Sequence, residues 1–176
     1  MLNRTINYLL ISLLIISSCK KENHNSPKES IVKDTIRTED KTKIRAIGET
    51  LIPIAKAKVE NWSEYQQLDQ LLERFYSISP NQALNLSEEL STITKQLKDS
   101  IKIERFKQPD IGIRINVLYN STLRLVDMAS IPTIKPIEVQ NETQNILDAF
   151  SALNSKINNL SKQEKIENEL RGMETN

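Results

Sequence analysis

Val139, Thr143, Ile146, Phe150, Leu153, Ile157 and Leu160 stand alternately four and three residues apart. This is one face of a helix sustained for three heptads, and a stripe of that length has to be covered by other helices. The same rhythm recurs upstream. Ser79-Pro80 reads as an N-cap and first helical residue, followed by Ala83, Leu86, Leu90, Ile93 and Leu97. Trp62, Tyr65, Leu68, Leu72 and Phe75 form another stripe. It extends back through Leu51, Ile47 and Ile44, with Pro53 kinking or starting it. A fourth pattern runs from about 109 to 129 through Ile111, Ile115, Leu118, Thr122, Leu125 and Ala129. Here Ile111, Ile113, Ile115 and Val117 also alternate as a strand does. The helical spacing persists further, and a lone strand would leave its backbone unpaired. Apolar positions wrap most of this fourth segment, so it is expected to be the most buried helix.

The breaks fall near Ile78–Pro80, Lys107–Pro109 and Ile131–Pro136, and Gly172 suits a stop for the last helix. Connections of 2–6 residues join neighbouring helices. The expectation is an all-α fold, an antiparallel four-helix bundle spanning residues 41–172. The stripes share no sequence motif, which sets the chain apart from helical repeat families. Only 3 Gly are present, too few for a turn-rich β-sandwich or a phosphate-cradling loop, and aromatics at 5% require an aliphatic core.

The residue types exclude more than they suggest. One Cys (Cys19) and one His (His24) rule out an internal disulfide, a Cys/His zinc site, a Cys-His dyad and a Ser-His-Asp triad. Residues 1–18 carry Arg4 alone among charged groups, so the remainder holds 23 basic and 23 acidic side chains. That balance gives no electrostatic case for nucleic acid. No metal, cofactor or enzymatic activity is expected.

The first nineteen residues are organised differently. Arg4 precedes an apolar run from Tyr8 to Ile16, which is too short for a spanning helix but fits the h-region of a secretory signal. The run ends in Ile16-Ser17-Ser18-Cys19, which resembles the bacterial lipobox. The resemblance covers about the first 20 residues and implies a lipoprotein signal peptide at residues 1–18. It implies diacylglyceryl transfer to the Cys19 thiol, cleavage before Cys19, and acylation of the new amino group with a fatty chain such as palmitate. Several acyl chains anchor stably where one does not. An Asp after the cysteine marks inner-membrane retention in enteric bacteria. Lys20 therefore points to the outer membrane, and Lys20-Lys21-Glu22-Asn23 departs from acidic surface-export signals, which favours the periplasmic face. The mature region is similar in architecture to small helical envelope lipoproteins.

Residues 19–40 are polar and read as a lipid-anchored flexible linker, with His24 a solvated member of it. Asp34-Thr35-Ile36 and Asp99-Ser100-Ile101 resemble an envelope O-glycosylation signal, and the accessible linker makes Thr35 the better acceptor. Asn-x-Ser/Thr triplets recur at Asn61, Asn85, Asn120, Asn141 and Asn159 and reflect Asn and Ser richness.

Few residues suggest chemistry. Glu88-Glu89 point about 100° apart on a helix and face no common site. Glu164, Glu167 and Glu169 lie among Lys162, Lys165 and Arg171 and read as surface ion pairs. The aromatic stretch of Trp62, Tyr65, Phe75 and Tyr76 reads as core. On the fourth helix, Arg114, Asn116, Asn120, Arg124 and Asp127 are the unusual polar residues. They could form a polar seam or groove wall contacting a ligand or partner, with Arg suited to an anionic group and Arg124 paired to Asp127 or to acids of neighbouring helices. The leading expectation is a non-enzymatic, lipid-anchored envelope protein that binds another protein or organises the envelope. The alternative is a periplasmic small-ligand binding or sensing protein using the arginine seam.

Overall fold

The computed structural model describes residues 45–174. The expected signal peptide (residues 1–18) and linker (19–40), with Cys19, His24, Thr35 and Ile44, lie outside the described residues. Among those described, the chain is all-helical: α1 (Pro53–Val59), α2 (Ser63–Phe75), α3 (Pro80–Asn85), α4 (Ser87–Asp99), a 3₁₀ turn (Glu104–Phe106), α5 (Pro109–Ala129) and α6 (Pro136–Glu174). Four of the six prolines stand at the start of a helix, where a missing N–H costs nothing and φ is already helical. Ser79 closes a capping box with Gln82: its hydroxyl accepts from the Gln82 N–H, and the Gln82 side chain accepts from the Ser79 N–H.

Several sequence expectations change. The stripe from Ala83 to Leu97 is two helices, broken at Leu86 (φ −97°, ψ 0°). The buried Ser87 hydroxyl donates to the Leu84 carbonyl at 2.7 Å, and such insertion into the ladder is a recognised cause of kinks. Among the described residues upstream of Pro53, 45–52, there is no helix; Leu51 is buried in the core, but Ile47 is exposed. The connection from α4 to α5 takes residues 100–108 rather than a few, because it holds the 3₁₀ turn and a residue of the core. Phe106 is fully buried against Trp62, and the Trp62 indole N–H donates to the Ser100 hydroxyl at 2.9 Å. Gly172 does not stop α6, which continues to Glu174.

The segment at 109–129 is helical as its longer pattern required. Ile111, Ile115, Leu118, Thr122 and Leu125 are buried, while Ile113 and Val117 on the other side are exposed. It is therefore amphipathic and not the most buried helix. α5 packs against both α4 and α6, and α2 packs against α4. Two ion pairs fix the α5–α6 register: Asp110 with Lys156, and Arg124 with Glu142. Fourteen residues forward on α5 match fourteen back on α6, so these two helices run antiparallel. Buried aliphatic and aromatic side chains fill the interior, each stabilising by about 1.5–3 kcal/mol.

α6 is about 58 Å long at 1.5 Å per residue. Its face from Val139 to Ser161 is buried, and beyond Ser161 nearly every residue is exposed. Along it lies the strap of residues 45–52, without regular structure. The Glu49 N–H donates to the Ser151 hydroxyl (2.7 Å), Asn154 Nδ2 donates to the Glu49 carbonyl (3.0 Å), and Asn158 Nδ2 donates to the Thr50 carbonyl (2.8 Å). Asn158 Oδ1 accepts from the Ile52 N–H at 3.0 Å. Seven helical residues advance about 10 Å, and three extended residues cover the same distance, so the strap is stretched parallel to α6. α1 continues in that direction, with Lys58 paired to Glu164 at 2.6 Å. At the strap's start, the Arg45 N–H and guanidinium donate to the Tyr76 and Phe75 carbonyls, closing the C-terminal end of α2.

Loss of the Asn158 amide leaves a strap donor and a strap acceptor without partners. We predict that Asn158→Ala lowers unfolding free energy by about 2–4 kcal/mol. Exposed Asn159→Ala should change it by no more than about 0.5 kcal/mol. Urea denaturation of both variants checks this, and equal effects would refute the role given to Asn158.

Candidate functional site

The strap does more than cover α6. Its approach needs Gly48, where an added Cβ would lie 2.7 Å from both Cβ and Oγ of Ser151. Residues 46–50 stand exposed, and between them, α1 and α2 lies a cleft of about 860 Å³. α2 supplies one wall through Tyr65, Asp69, Glu73 and Tyr76, which helical spacing places on neighbouring parts of one face. α1 supplies Lys56, Ala57 and Glu60, and the strap supplies Ile47 and Glu49. Phe150 and Asn154 of α6 line it as well.

A polar chain ties the wall to the strap. The buried Tyr65 hydroxyl donates to Asn154 Oδ1 at 2.6 Å, and Asn154 passes the connection to the Glu49 carbonyl. Burial pushes the Tyr65 phenol well above its ordinary range, so it remains a donor. Its ring stacks on Phe150 with centroids 5.8 Å apart. Glu49 Oε1 accepts from Asn158 Nδ2 at 3.0 Å. Asp69 is half-buried. Burial raises its carboxyl above the usual value, Glu73 adds to the rise, and Lys56 opposes it. Four carboxylates and one ammonium line the cleft, so its net charge is negative.

None of the polar residues singled out on α5 lines this cleft. Arg124 donates through Nη2 and Nε to Glu142 Oε1 at 2.8 and 3.1 Å, and through Nη2 to the Ser121 hydroxyl at 2.7 Å. Glu142 is the buried partner, with 6% of its side chain exposed against 52% for Arg124. Arg114 turns back along its own helix and donates to the Asp110 carbonyl at 2.9 Å. Asn116, Asn120 and Asp127 are exposed. At helical spacing Asn120, Arg124 and Asp127 share the outward face of α5 with exposed Ile113 and Val117. Trp62, Tyr65 and Phe75 are buried as expected, and Tyr76 stands half-buried at the cleft.

Among the described residues, no group of three His, Cys, Asp or Glu is placed to hold a metal ion. No described helix is long and apolar enough to cross a membrane. No protein-family model, curated protein or solved structure matches the chain.

A carboxyl whose folded pKa is raised favours folding below the unfolded pKa, and that contribution is lost as pH rises through the folded value. At pH 7 the ionised Asp69 therefore weighs against the fold. We predict that Asp69→Asn raises the urea midpoint at pH 7, and that the gain shrinks as pH falls through the raised folded value of Asp69 and is gone below the unfolded value of about 4. A midpoint that falls at neutral pH, or a gain that ignores pH, would contradict this assignment.

Proposed function

We propose that this chain is a lipid-anchored bacterial envelope protein whose helical domain binds a protein partner without transforming it. The anchor is supported by the ordered sequence of Arg4, the apolar run, two small residues and Cys19. Lys20 favours the outer membrane, facing the periplasm. In this reading α2, α4, α5 and α6 make an antiparallel four-helix bundle, supported by the α5–α6 register. The 130–135 connection also spans at most about 20 Å, too short to return along the roughly 31 Å of α5.

The observation that carries the binding reading is the outward face of α5. Ile113 and Val117, one turn apart, are 58% and 52% exposed on a helix whose opposite face is fully buried. Adjacent exposed aliphatics, with Asn120 and Arg124 beside them, form an apolar centre with a polar edge, the anatomy of a protein interface. A second reading is favoured by the cleft, whose volume falls within the roughly 300–1,000 Å³ typical of small-molecule sites. That reading moves the ligand from the arginine seam to the strap side of the domain.

Two experiments test the proposal. Mass spectrometry of the natural product should find Cys19 as the N-terminal residue bearing acyl chains, and Cys19→Ser should move the chain from the membrane to the soluble fraction. An unmodified thiol there would refute the anchor. For the domain, crosslinking in native membranes should capture a defined partner, and Ile113→Glu with Val117→Glu should abolish that capture with little change in thermal midpoint. Undiminished capture would remove the α5 face from the proposal.

A further inference from the structure

We propose that the cleft between the strap, α1 and α2 binds an organic cation, an ammonium or guanidinium group carried on an apolar body. The inference rests on the small-ligand reading of the cleft and is independent of the anchor. Three properties of the site converge on that chemistry. The first is shape: about 860 Å³ bounded by three separate chain segments, ample for an amine with a ring or short alkyl body.

The second is charge. Glu49, Glu60, Asp69 and Glu73 face Lys56 alone, and a cleft of one predominant sign in a low-dielectric wall concentrates counter-ions of the other. The third is the nature of the walls. Ile47, Leu51, Ala57, Val59 and Phe150 supply apolar surface, and half-buried Tyr76 supplies an aromatic ring one helical turn beyond Glu73. A cation between a carboxylate and a tyrosine face gains from both. An anionic ligand would meet four like charges.

Asp69 is the group through which the site holds the cation. Placed on the opposite, solvated face of α2 it would cost the fold nothing; half-buried beside Glu73 it does. Charges kept at such a position are a mark of binding sites, where stability is exchanged for function. Glu49 has a second part. Its carboxylate is held by Asn158 and its backbone by Ser151 and Asn154, so the strap wall is fixed before a ligand arrives. A preorganised wall lowers the ordering cost of binding.

The same chemistry arises from a free amine and from a Lys or Arg side chain of a peptide. Calorimetric titration of the full chain would use phenethylammonium, its neutral isostere 2-phenylethanol, the anion 3-phenylpropanoate, and the dipeptide acetyl-Phe-Lys-amide. The expected result is binding of phenethylammonium at least about ten-fold tighter than 2-phenylethanol, with no binding of the anion. Asp69→Asn should abolish the preference while keeping or raising the thermal midpoint, and Ala57→Trp, which fills the cleft, should abolish binding altogether. Tighter binding of the dipeptide than of the amine would assign the cation to a peptide, and the reverse order to a free amine. Equal affinity for amine and alcohol would overturn the cation and leave the cleft as a neutral-ligand site. Binding of no probe, or binding that survives Ala57→Trp, would overturn the site itself.

Discussion

A buried backbone must find partners for its N–H and C=O groups, and in this domain that requirement is met at one place by side chains rather than by secondary structure. The strap belongs to no helix and pairs with no strand. Asn158 presents the strap with a donor and an acceptor, Asn154 with a donor, and Ser151 adds a hydroxyl acceptor. At three- and four-residue spacing they line one side of α6 and act as rungs for a passing chain. The rest follows from those rungs. They fix the strap's direction, the strap leads into Pro53 and α1, and Arg45 at its head closes the end of α2. Remove them and α1 loses its position, Leu51 leaves the core, and the cleft loses a wall.

The two faces of the domain thus have different characters. On the α5 side, charge is neutralised locally: Arg124 meets buried Glu142, Asp110 meets Lys156, and Ile113 and Val117 remain as apolar surface. On the strap side, negative charge exceeds positive and one carboxylate is kept half-buried at a cost. The first arrangement suits a broad, weakly polar contact. The second suits a small group of opposite sign. A single domain of this size can present both, because α6 lies between them and is longer than either face needs.

The helices were largely legible in the sequence because their signals are local. Prolines at positions 53, 80, 109 and 136 mark starts, and the alternation of four and three marks buried faces. The break at Leu86 was not legible, because the apolar stripe continues across it and only the Ser87 hydroxyl distinguishes the two helices. The strap was misread for a related reason: Ile47 and Leu51 are four apart and mimic a helical turn, although only Leu51 is buried. Gly48 was the available signal, but its meaning depends on Ser151, which lies more than a hundred residues away. Periodicity also says that a residue is apolar without saying whether a neighbour covers it, so the segment holding Ile113 and Val117 reads as the most buried helix although both are exposed. The cleft draws on residues 47–76 and on Phe150 and Asn154, a set that no window along the chain assembles. The polar residues of α5 drew attention because they interrupt an apolar helix, whereas those of the cleft sit among ordinary surface charges.

The parallel course of the strap and α6 has a mechanical consequence. Tension applied at Arg45 along the axis of α6 loads the hydrogen bonds to Ser151, Asn154 and Asn158 side by side, in shear. The same bonds pulled at right angles would open one after another, like a zip. A domain held by its leading end in this way resists traction in one direction far better than in the other, so orientation alone decides how much force the attachment withstands.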